Sequence, residues 1–206
     1  MERNERQNFM KNFLEYLCMK ESTAEKRLVI YDFDGTLFHS PEEHNGKQMY
    51  YDITNKNWPF KGWWGRKETL SPPLVPQNPD SSWYVSNVVE SQKSDSQDSN
   101  ATVILMTGRA IHLKNRVMEI LENAGMHFHD TFFAGQPGTK GENTFEIKSN
   151  NIKNLMNSDY EVLEIWEDRP EHVHEFSKLG LKLKEENPNL KTVIIHDVKR
   201  GSKEQF

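Results

Sequence analysis

The segment Leu28-Val29-Ile30-Tyr31-Asp32-Phe33-Asp34-Gly35-Thr36-Leu37-Phe38 joins an apolar run to two closely spaced carboxylates. The apolar run contains β-branched residues and predicts a buried strand over residues 27–32. Residues i and i+2 of an extended chain point to the same side, so Asp32 and Asp34 reach one place at the carboxyl end of this strand. Gly35 allows the backbone to turn away there. Because ligands bind at this edge of an open α/β sheet, we expect the two carboxylates to belong to a functional site.

Four further apolar runs predict strands that alternate with helices. They cover residues 101–107, 128–133, 161–166 and 191–196. Residues between them are typical of helix boundaries: Gly125 ends one helix, Thr144 caps another and Pro170 opens a third. This alternation predicts an α/β fold with a Rossmann-like, doubly wound sheet of about five parallel strands.

Residues 39–100 differ in composition from the rest of the chain. They contain four of the five tryptophans and six of the nine prolines. Because proline disfavours long regular elements, we expect a small cap or loop insert after the first strand. A helix near residues 80–90 could begin at Ser81 or Ser82. The polar residues 91–100 predict a solvated loop, and their composition is also typical of disorder.

The N-terminal residues and the overall composition argue against several classes of protein. Residues 5–20 have apolar residues at helical spacing, so we expect residues 1–26 to form an amphipathic helix packed on a domain of residues 27–206. The formal net charge of -5 argues against a broadly basic nucleic-acid-binding surface. The single cysteine, Cys18, cannot form an internal disulfide, and we see neither a signal peptide nor a membrane span. We therefore expect a cytoplasmic or nuclear protein without a membrane or disulfide-linked partner.

Polar residues stand at or beside the carboxyl ends of three predicted strands. All strand ends of a doubly wound parallel sheet share one edge, so these residues are expected to meet. Each alone has an ordinary explanation, such as a helix cap, a turn residue or a solvated lysine. Together they predict one site, formed by Asp32, Asp34, Thr107, Lys148, Glu167 and Asp168.

The acidic members of this set suit phosphoryl transfer assisted by a metal ion. A carboxylate can attack phosphorus and form an aspartyl phosphate, a role that we give to Asp32. Mg²⁺ would offset the negative charge of phosphate and carboxylates. Its ligands would come from Asp32, Asp168 and the backbone carbonyl of Asp34, with Glu167 bound directly or through water. Asp34 would then protonate the leaving oxygen and activate water against the intermediate.

The remaining members would bind the phosphate. The hydroxyl of Thr107 and the ammonium of Lys148 would hold phosphate oxygens and offset the charge that spreads over them. Lys140 and Lys153 lie nearby and compete for the lysine role. We favour Lys148 because it follows the predicted helix start at Thr144.

These residues resemble the motifs of the haloacid dehalogenase (HAD) superfamily. Residues 32–38, Asp-Phe-Asp-Gly-Thr-Leu-Phe, resemble its first motif, and Met106-Thr107-Gly108-Arg109 resembles its second. Lys148 corresponds to the third motif and Glu167-Asp168 to the fourth. The superfamily usually has Asp-Asp or a Gly-Asp pattern at the fourth motif, so Glu167 leaves the sharing of metal contacts open. The resemblance implies a Mg²⁺-dependent phosphatase with an aspartyl-phosphate intermediate.

Three runs extend the resemblance to the HAD domains called Swiss Army Knife RNA repair-like. They are Gly62-Trp63-Trp64, Leu105-Met106-Thr107-Gly108-Arg109 and Glu167-Asp168-Arg169-Pro170-Glu171-His172. This narrower resemblance implies a substrate with a phosphate on a nucleotide or a nucleic-acid end. A small-metabolite phosphatase, a protein phosphatase and a catalytically silent binding module with the same fold stay open as alternatives.

Four further residues are candidates for substrate contacts. Trp63 and Trp64 could stack a base, although we favour a structural mini-core as the reason for the tryptophans of the insert. Gly108 and Arg109 follow Thr107 and could contact the phosphate, with Arg109 binding it bidentately. Pairing of Arg109 with a neighbouring acid is the structural alternative.

Overall fold

The computed structural model describes residues 25–135 and 143–206. The predicted helix over residues 5–20 lies outside the described residues, and so do Cys18 and Lys140. Within the described part of the chain, no helix has the length and apolar character of a membrane span.

The described residues form one six-stranded sheet with the strand order β3-β2-β1-β4-β5-β6. Strands β1 to β5 are parallel, and β6 pairs antiparallel with β5 at the edge. This confirms the predicted α/β fold. The sequence did not reveal β6, because all four of its residues are exposed and it lacks the apolar alternation of a strand. The strands are β1 (Arg27–Tyr31), β2 (Ala101–Ala110), β3 (Asp130–Ala134), β4 (Val162–Glu167), β5 (Thr192–Asp197) and β6 (Ser202–Gln205).

Helices cover both faces of the sheet. Apolar residues of α2 and α3 pack on one face, and apolar residues of α4 and α5 pack on the other. Short 3₁₀ helices cover Lys67–Leu70, Ser81–Trp83 and Ile111–Leu113. The α-helices are α1 (Glu43–Thr54), α2 (Ser86–Gln97), α3 (Lys114–Asn123), α4 (Thr144–Leu155) and α5 (Pro170–Glu186).

Helix α2 contradicts the solvated loop predicted for residues 91–100. Its polar residues do not all face water, since Gln92 and Asp95 are buried. Asp95 accepts hydrogen bonds from Arg27 Nη2 at 2.9 Å and from Tyr31 Oη at 2.6 Å. Because these partners lie on β1, tertiary contacts stabilise a helix that local composition disfavours. The predicted cap was also wrong: Asp80 caps the 3₁₀ helix Ser81–Trp83 by accepting from Ser82 N.

The central pair of strands brings the predicted acids together. Tyr31 of β1 lies opposite Trp166 of β4, so both strands end at the same level. The backbone of Asp32 continues this pairing by donating to Trp166 O at 3.1 Å. On the other side of β1, β2 runs to Ala110, with its register to β3 shifting between Thr107 and Ala110. The carboxyl edge of the sheet therefore carries the polar residues that the sequence predicted to meet.

Residues 39–85, which we call the Trp-rich segment, have a small apolar core of their own. Trp63 is buried, and its Nε1 donates to Pro41 O at 2.9 Å. The ring of Trp58 lies 4.8 Å from that of Trp63 and 5.3 Å from that of Tyr50 in α1. The mini-core explanation therefore holds for Trp58 and Trp63. The suggestion that Trp63 stacks a base is wrong for this conformation, because its ring is not accessible.

The contact between Trp63 and Gly46 gives a test of this mini-core. A Cβ at Gly46 would lie 2.1 Å from Trp63 Cζ2, whereas a Cβ at Gly65 would meet no atom within 4 Å. Gly46→Ala should therefore destabilise the protein by about 1–3 kcal/mol despite the better helix propensity of alanine. Gly65→Ala is the matched control and should have little effect. Urea unfolding of both variants measures the difference, and equal midpoints would contradict the packing described here.

Candidate active site

Asp32 lies at the carboxyl end of β1 and is only 3% exposed. Its Oδ1 is 3.0 Å from Lys148 Nζ but makes no hydrogen bond to any described residue. Burial raises the pKa of Asp32 to about 6, against the lowering effect of the nearby Lys148 ammonium. Asp32 therefore presents an incompletely satisfied oxygen.

Lys148 is positioned by the first turns of α4. Asn143 caps this helix in a capping box with Glu146, which fixes where the helix begins. The ammonium of Lys148 is buried and lies 2.7 Å from Glu167 Oε2 as well as 3.0 Å from Asp32. Burial opposes its charge, but the two carboxylates outweigh burial and raise the pKa of Lys148. Lys153 is exposed on the same helix, so of the two described lysines only Lys148 reaches the acids.

Asp32, Glu167 and Asp168 form an acidic cluster. Each offers an oxygen, and these oxygens all lie within 4.8 Å of one another. Asp168 Oδ1 is buried without a hydrogen-bond partner among the described residues. Burial and the charges of Asp32 and Glu167 raise the pKa of Asp168 to about 8. Burial also disfavours the charge of Glu167, but Lys148 and other neighbours outweigh it and hold the pKa of Glu167 well below its usual value.

The donor set of this cluster fits a divalent cation. Mg²⁺ prefers oxygen ligands and uses one or two carboxylates together with water and phosphate oxygens. The unpartnered oxygen of Asp168 and the raised pKa values of Asp32 and Asp168 both indicate negative charge that the described side chains do not fully balance. A bound cation would supply that balance.

Gly35 allows the backbone after β1 to approach Asp168. Its φ is +72°, and a Cβ there would lie 2.2 Å from Asp168 Oδ2. Gly35 N donates to Phe38 O at 2.8 Å, which closes a tight turn directly after Asp34. Glycine is therefore required both for the backbone conformation and for the space that the Asp168 carboxylate occupies.

Asp34 is held by Arg109, a residue that we expected to bind phosphate. Arg109 Nε lies 3.0 and 2.9 Å from the two carboxylate oxygens of Asp34, and Nη2 lies 2.7 Å from Oδ1. Arg109 Nη1 donates to Thr69 Oγ1 at 2.7 Å and to Trp64 O at 3.1 Å. Because Arg109 is fully buried and all three of its nitrogens are bonded, the structural alternative holds and direct phosphate binding by this side chain does not.

Thr107 and Gly108 contribute differently from each other. Thr107 is buried, and its Oγ1 accepts a hydrogen bond from Arg109 N at 3.1 Å. It does not line the cavity, and this contact lies within β2, where the register to β3 shifts. Gly108 does line the cavity, and a Cβ there would lie 2.8 Å from Thr144 Cγ2. A side chain at position 108 would therefore press on the start of α4.

A cavity of about 400 Å³ opens above the acids. Asp32, Asp34 and Asp168 line it. Trp64 also lines it, with 42% of the residue exposed, and the guanidinium of Arg109 lies 5.0 Å from its ring centroid. Thus Trp64 can face a ligand, whereas the adjacent Trp63 cannot.

Several site residues were missed in the sequence. Arg169 lines the cavity, with its Nη2 3.9 Å from Asp32 Oδ2 and its Nε 3.4 Å from Glu167 Oε1. Its position directly after Asp168 was the available signal. The other cavity residues come from the turn before α1 and from two helix starts: Ser40, Glu42, Glu43, His44 and Thr144. No feature of the sequence marked Ser40, Glu42 or Glu43 for a site.

The fold and this site define a class of protein. A buried aspartate ends the central parallel strand, with a lysine and an acidic cluster beside it, in the arrangement of a HAD-type, phosphatase-like domain. The chain belongs to HAD domain family 1 in Swiss Army Knife RNA repair proteins, whose family model matches residues 42–204. The first motif, at residues 32–38, lies just ahead of the matched range.

The similarity to solved structures is weaker than the match to the family model. A chain in the structure of the Pnkp1/Rnl/Hen1 complex is 16% identical with a TM-score of 0.47, covering 76% of this chain and 44% of that one. A class C acid phosphatase from Bacillus anthracis with tungstate bound is 14% identical with a TM-score of 0.43, covering 89% of this chain and 72% of that one. The chain thus spans less than half the length of the matched chain of the Pnkp1/Rnl/Hen1 complex. A comparison with curated proteins found no significant match.

The raised pKa values of Asp32 and Asp168 predict how stability depends on pH. Between about pH 4 and about pH 8 the folded protein holds protons on these groups that the unfolded chain has released. Native protein then binds more protons, so in a metal-free buffer stability should fall as pH rises through this window. Asp168→Asn removes the larger contribution and should flatten this fall.

Melting midpoints in EDTA and in MgCl₂ across this pH window measure the effect. Mg²⁺ should restore stability at the alkaline end for the natural sequence but not for Asp168→Asn. Asp159→Asn, at an exposed aspartate, is the control and should retain the original pH dependence. Equal slopes for all three proteins in EDTA would contradict the charge imbalance inferred for the cluster.

Proposed function

We propose that this chain is a Mg²⁺-dependent phosphatase that acts through an aspartyl phosphate on Asp32, with a phosphorylated nucleotide or nucleic-acid end as its substrate. One observation carries the proposal. Asp32 lines the cavity, and its buried Oδ1 has no hydrogen-bond partner among the described residues and is ion-paired with the buried Lys148. It also lies beside a carboxylate cluster suited to a cation. A nucleophile, a charge-balancing lysine and candidate cation ligands are thus close together.

The residues divide the reaction between them. Asp32 attacks phosphorus while the ester oxygen leaves, and Asp34 gives that oxygen a proton. Asp34 then takes a proton from the water that hydrolyses the intermediate. Lys148 keeps the Asp32 carboxylate oriented, and Arg169, which is exposed to the cavity, offers its guanidinium to the phosphate.

Asp32, Asp168 and the backbone carbonyl of Asp34 would hold the Mg²⁺, with Glu167 acting directly or through water. The cation would offset the negative charge of the phosphate and of the acidic cluster. The pairing of Glu167 with Lys148 at 2.7 Å favours the indirect role for Glu167.

Trp64 supports a nucleotide or nucleic-acid substrate. It is an exposed aromatic ring on the cavity wall, and its carbonyl is fixed by Arg109. Such a ring can stack a base without first being ordered. A small-metabolite phosphatase is a second candidate because Glu42 and Glu43 line the same cavity and would repel the further phosphates of a strand.

Two substitutions test the reaction. Asp32→Asn should abolish Mg²⁺-dependent phosphate release from a generic aryl phosphate ester, because the amide cannot act as the nucleophile. Asp34→Asn should slow turnover by about 10²–10⁴-fold with little change in substrate or metal binding, since proton transfer is the function removed. Phosphate release and isothermal titration with Mg²⁺ measure the two effects.

Failure of the natural sequence to hydrolyse any phosphate ester with Mg²⁺ would overturn the enzyme proposal and favour a binding module. Equal losses of binding and rate in Asp34→Asn would contradict its role as proton donor. A panel of 3′- and 5′-phosphorylated oligonucleotides, mononucleotides, sugar phosphates and phosphopeptides would then decide among the substrate classes.

Substitution of Trp64 tests the proposed stacking. Trp64→Ala should raise KM for nucleotide substrates by roughly 10-fold or more, because one base–aromatic stack contributes about 1–3 kcal/mol. Its effect on a small alkyl phosphate should be minor. Tyr51→Ala is the matched control, since Tyr51 is 45% exposed but lies outside the cavity. An unchanged KM in Trp64→Ala with the fold intact would exclude stacking on this residue.

A further inference from the structure

The geometry points to Arg109 as a positioning residue through which the Trp-rich segment fixes the carboxylate of Asp34. This inference rests on the proposed function, in which Asp34 transfers the proton. It extends that proposal by making two residues outside the acidic cluster, Thr69 and Trp64, part of the proton-transfer apparatus through Arg109.

The two carboxylate oxygens of Asp34 accept different numbers of hydrogen bonds. Oδ1 accepts from Arg109 Nε at 3.0 Å, from Arg109 Nη2 at 2.7 Å and also from the hydroxyl of Ser40. Oδ2 accepts from Arg109 Nε alone, at 2.9 Å. Because Oδ1 is already saturated, Oδ2 is the oxygen that can exchange a proton with a ligand in the cavity.

The other side of the Arg109 guanidinium is bonded to the Trp-rich segment. Nη1 donates to Thr69 Oγ1 at 2.7 Å and to Trp64 O at 3.1 Å. Thr69 is fully buried and its hydroxyl donates onward to Arg66 O at 2.7 Å, so the accepting oxygen is itself held in place. The guanidinium is planar, and a rotation that releases one edge also tilts the edge bound to Asp34.

Burial restricts movement of the Arg109 guanidinium between Asp34 and the Trp-rich segment. Arg109 has no exposed surface, so a lost partner cannot be replaced readily by water. Proton transfer in a transition state depends on the donor lying within hydrogen-bond reach of the accepting oxygen. The position of residues 64–69 therefore sets whether Asp34 Oδ2 reaches the leaving oxygen. Trp64 lines the cavity beside Asp34, so a leaving group seated on its ring contacts the same unit.

Arg116 provides a matched comparison. It also bridges the core and the Trp-rich segment, donating to the carbonyls of Leu70, Gln77 and Pro76 at 2.8–2.9 Å. It has no described contact with Asp34 and does not line the cavity. Loss of the Arg116 contacts loosens a different part of the segment, residues 70–77, which has no described hydrogen bond to Arg109 or Asp34.

The dependence of rate on the leaving group tests the inference. An alkoxide is a poor leaving group and needs the proton of Asp34 as its bond to phosphorus breaks, whereas nitrophenolate leaves without one. Thr69→Val removes the hydroxyl with little change in shape, and Arg109→Lys removes the planar fork. Both variants should lower kcat for an alkyl phosphate by about 10²-fold or more. The rate constant of the pre-steady-state burst of nitrophenol from p-nitrophenyl phosphate should change by less than about 3-fold, because Asp32 still attacks phosphorus and this leaving group needs no proton.

The controls separate positioning from folding. Thr69→Ser keeps the hydroxyl and should restore the natural ratio of the two rates, and Arg116→Lys should leave that ratio unchanged. The inference would be overturned if Thr69→Val lowered kcat for the alkyl ester and the rate constant of the nitrophenol burst by the same factor. It would also be overturned if Arg116→Lys changed the ratio of these two rates as much as Arg109→Lys does.

Should the natural sequence release no phosphate from either ester, the proposed function itself fails, which is a separate result. If Arg109→Lys does not fold by circular dichroism, Thr69→Val alone decides.

Discussion

The site depends on one buried ammonium placed between two carboxylates. Lys148 Nζ lies 3.0 Å from Asp32 and 2.7 Å from Glu167, and all three residues are almost fully buried. Removing one partner from a buried ion pair typically costs about 3–5 kcal/mol, because the remaining charge loses its compensation. This constraint explains why α4 must begin at a fixed residue and why β1 and β4 must end at the same level.

The same charge balance explains the chemistry that the site can support. One lysine compensates only part of the charge of Asp32, Glu167 and Asp168, and Asp168 keeps an oxygen without a described partner. A divalent cation would compensate the rest of this negative charge, and oxygen ligands such as these carboxylates are the ones that such cations prefer. The Trp-rich segment then adds a wall with an accessible ring, and Arg109 and Arg116 tie that wall to the core.

Sequence reasoning located the acids because strand ends follow from hydrophobic pattern, and the ends of parallel strands meet. It could not decide between Trp63 and Trp64, which are adjacent in sequence but face opposite environments. It also could not place the partner of Arg109, since Asp34 and Thr69 are distant along the chain. The second half of helix α2 was missed for the same reason: its buried Asp95 accepts hydrogen bonds from residues of β1. Each miss concerns a tertiary contact that local composition does not encode.

Peptide mapping of a trapped phosphoenzyme tests most directly the central claim that Asp32, the carboxylate paired with Lys148, is the nucleophile. The Asp34→Asn variant would be mixed with ³²P-labelled substrate and Mg²⁺, quenched in acid and digested. Our account predicts label on the peptide that contains Asp32, and no label when Asp32→Asn is added. Hydrolysis of the substrate by the natural sequence with label on another residue, or with no labelled protein at any time point, would contradict it.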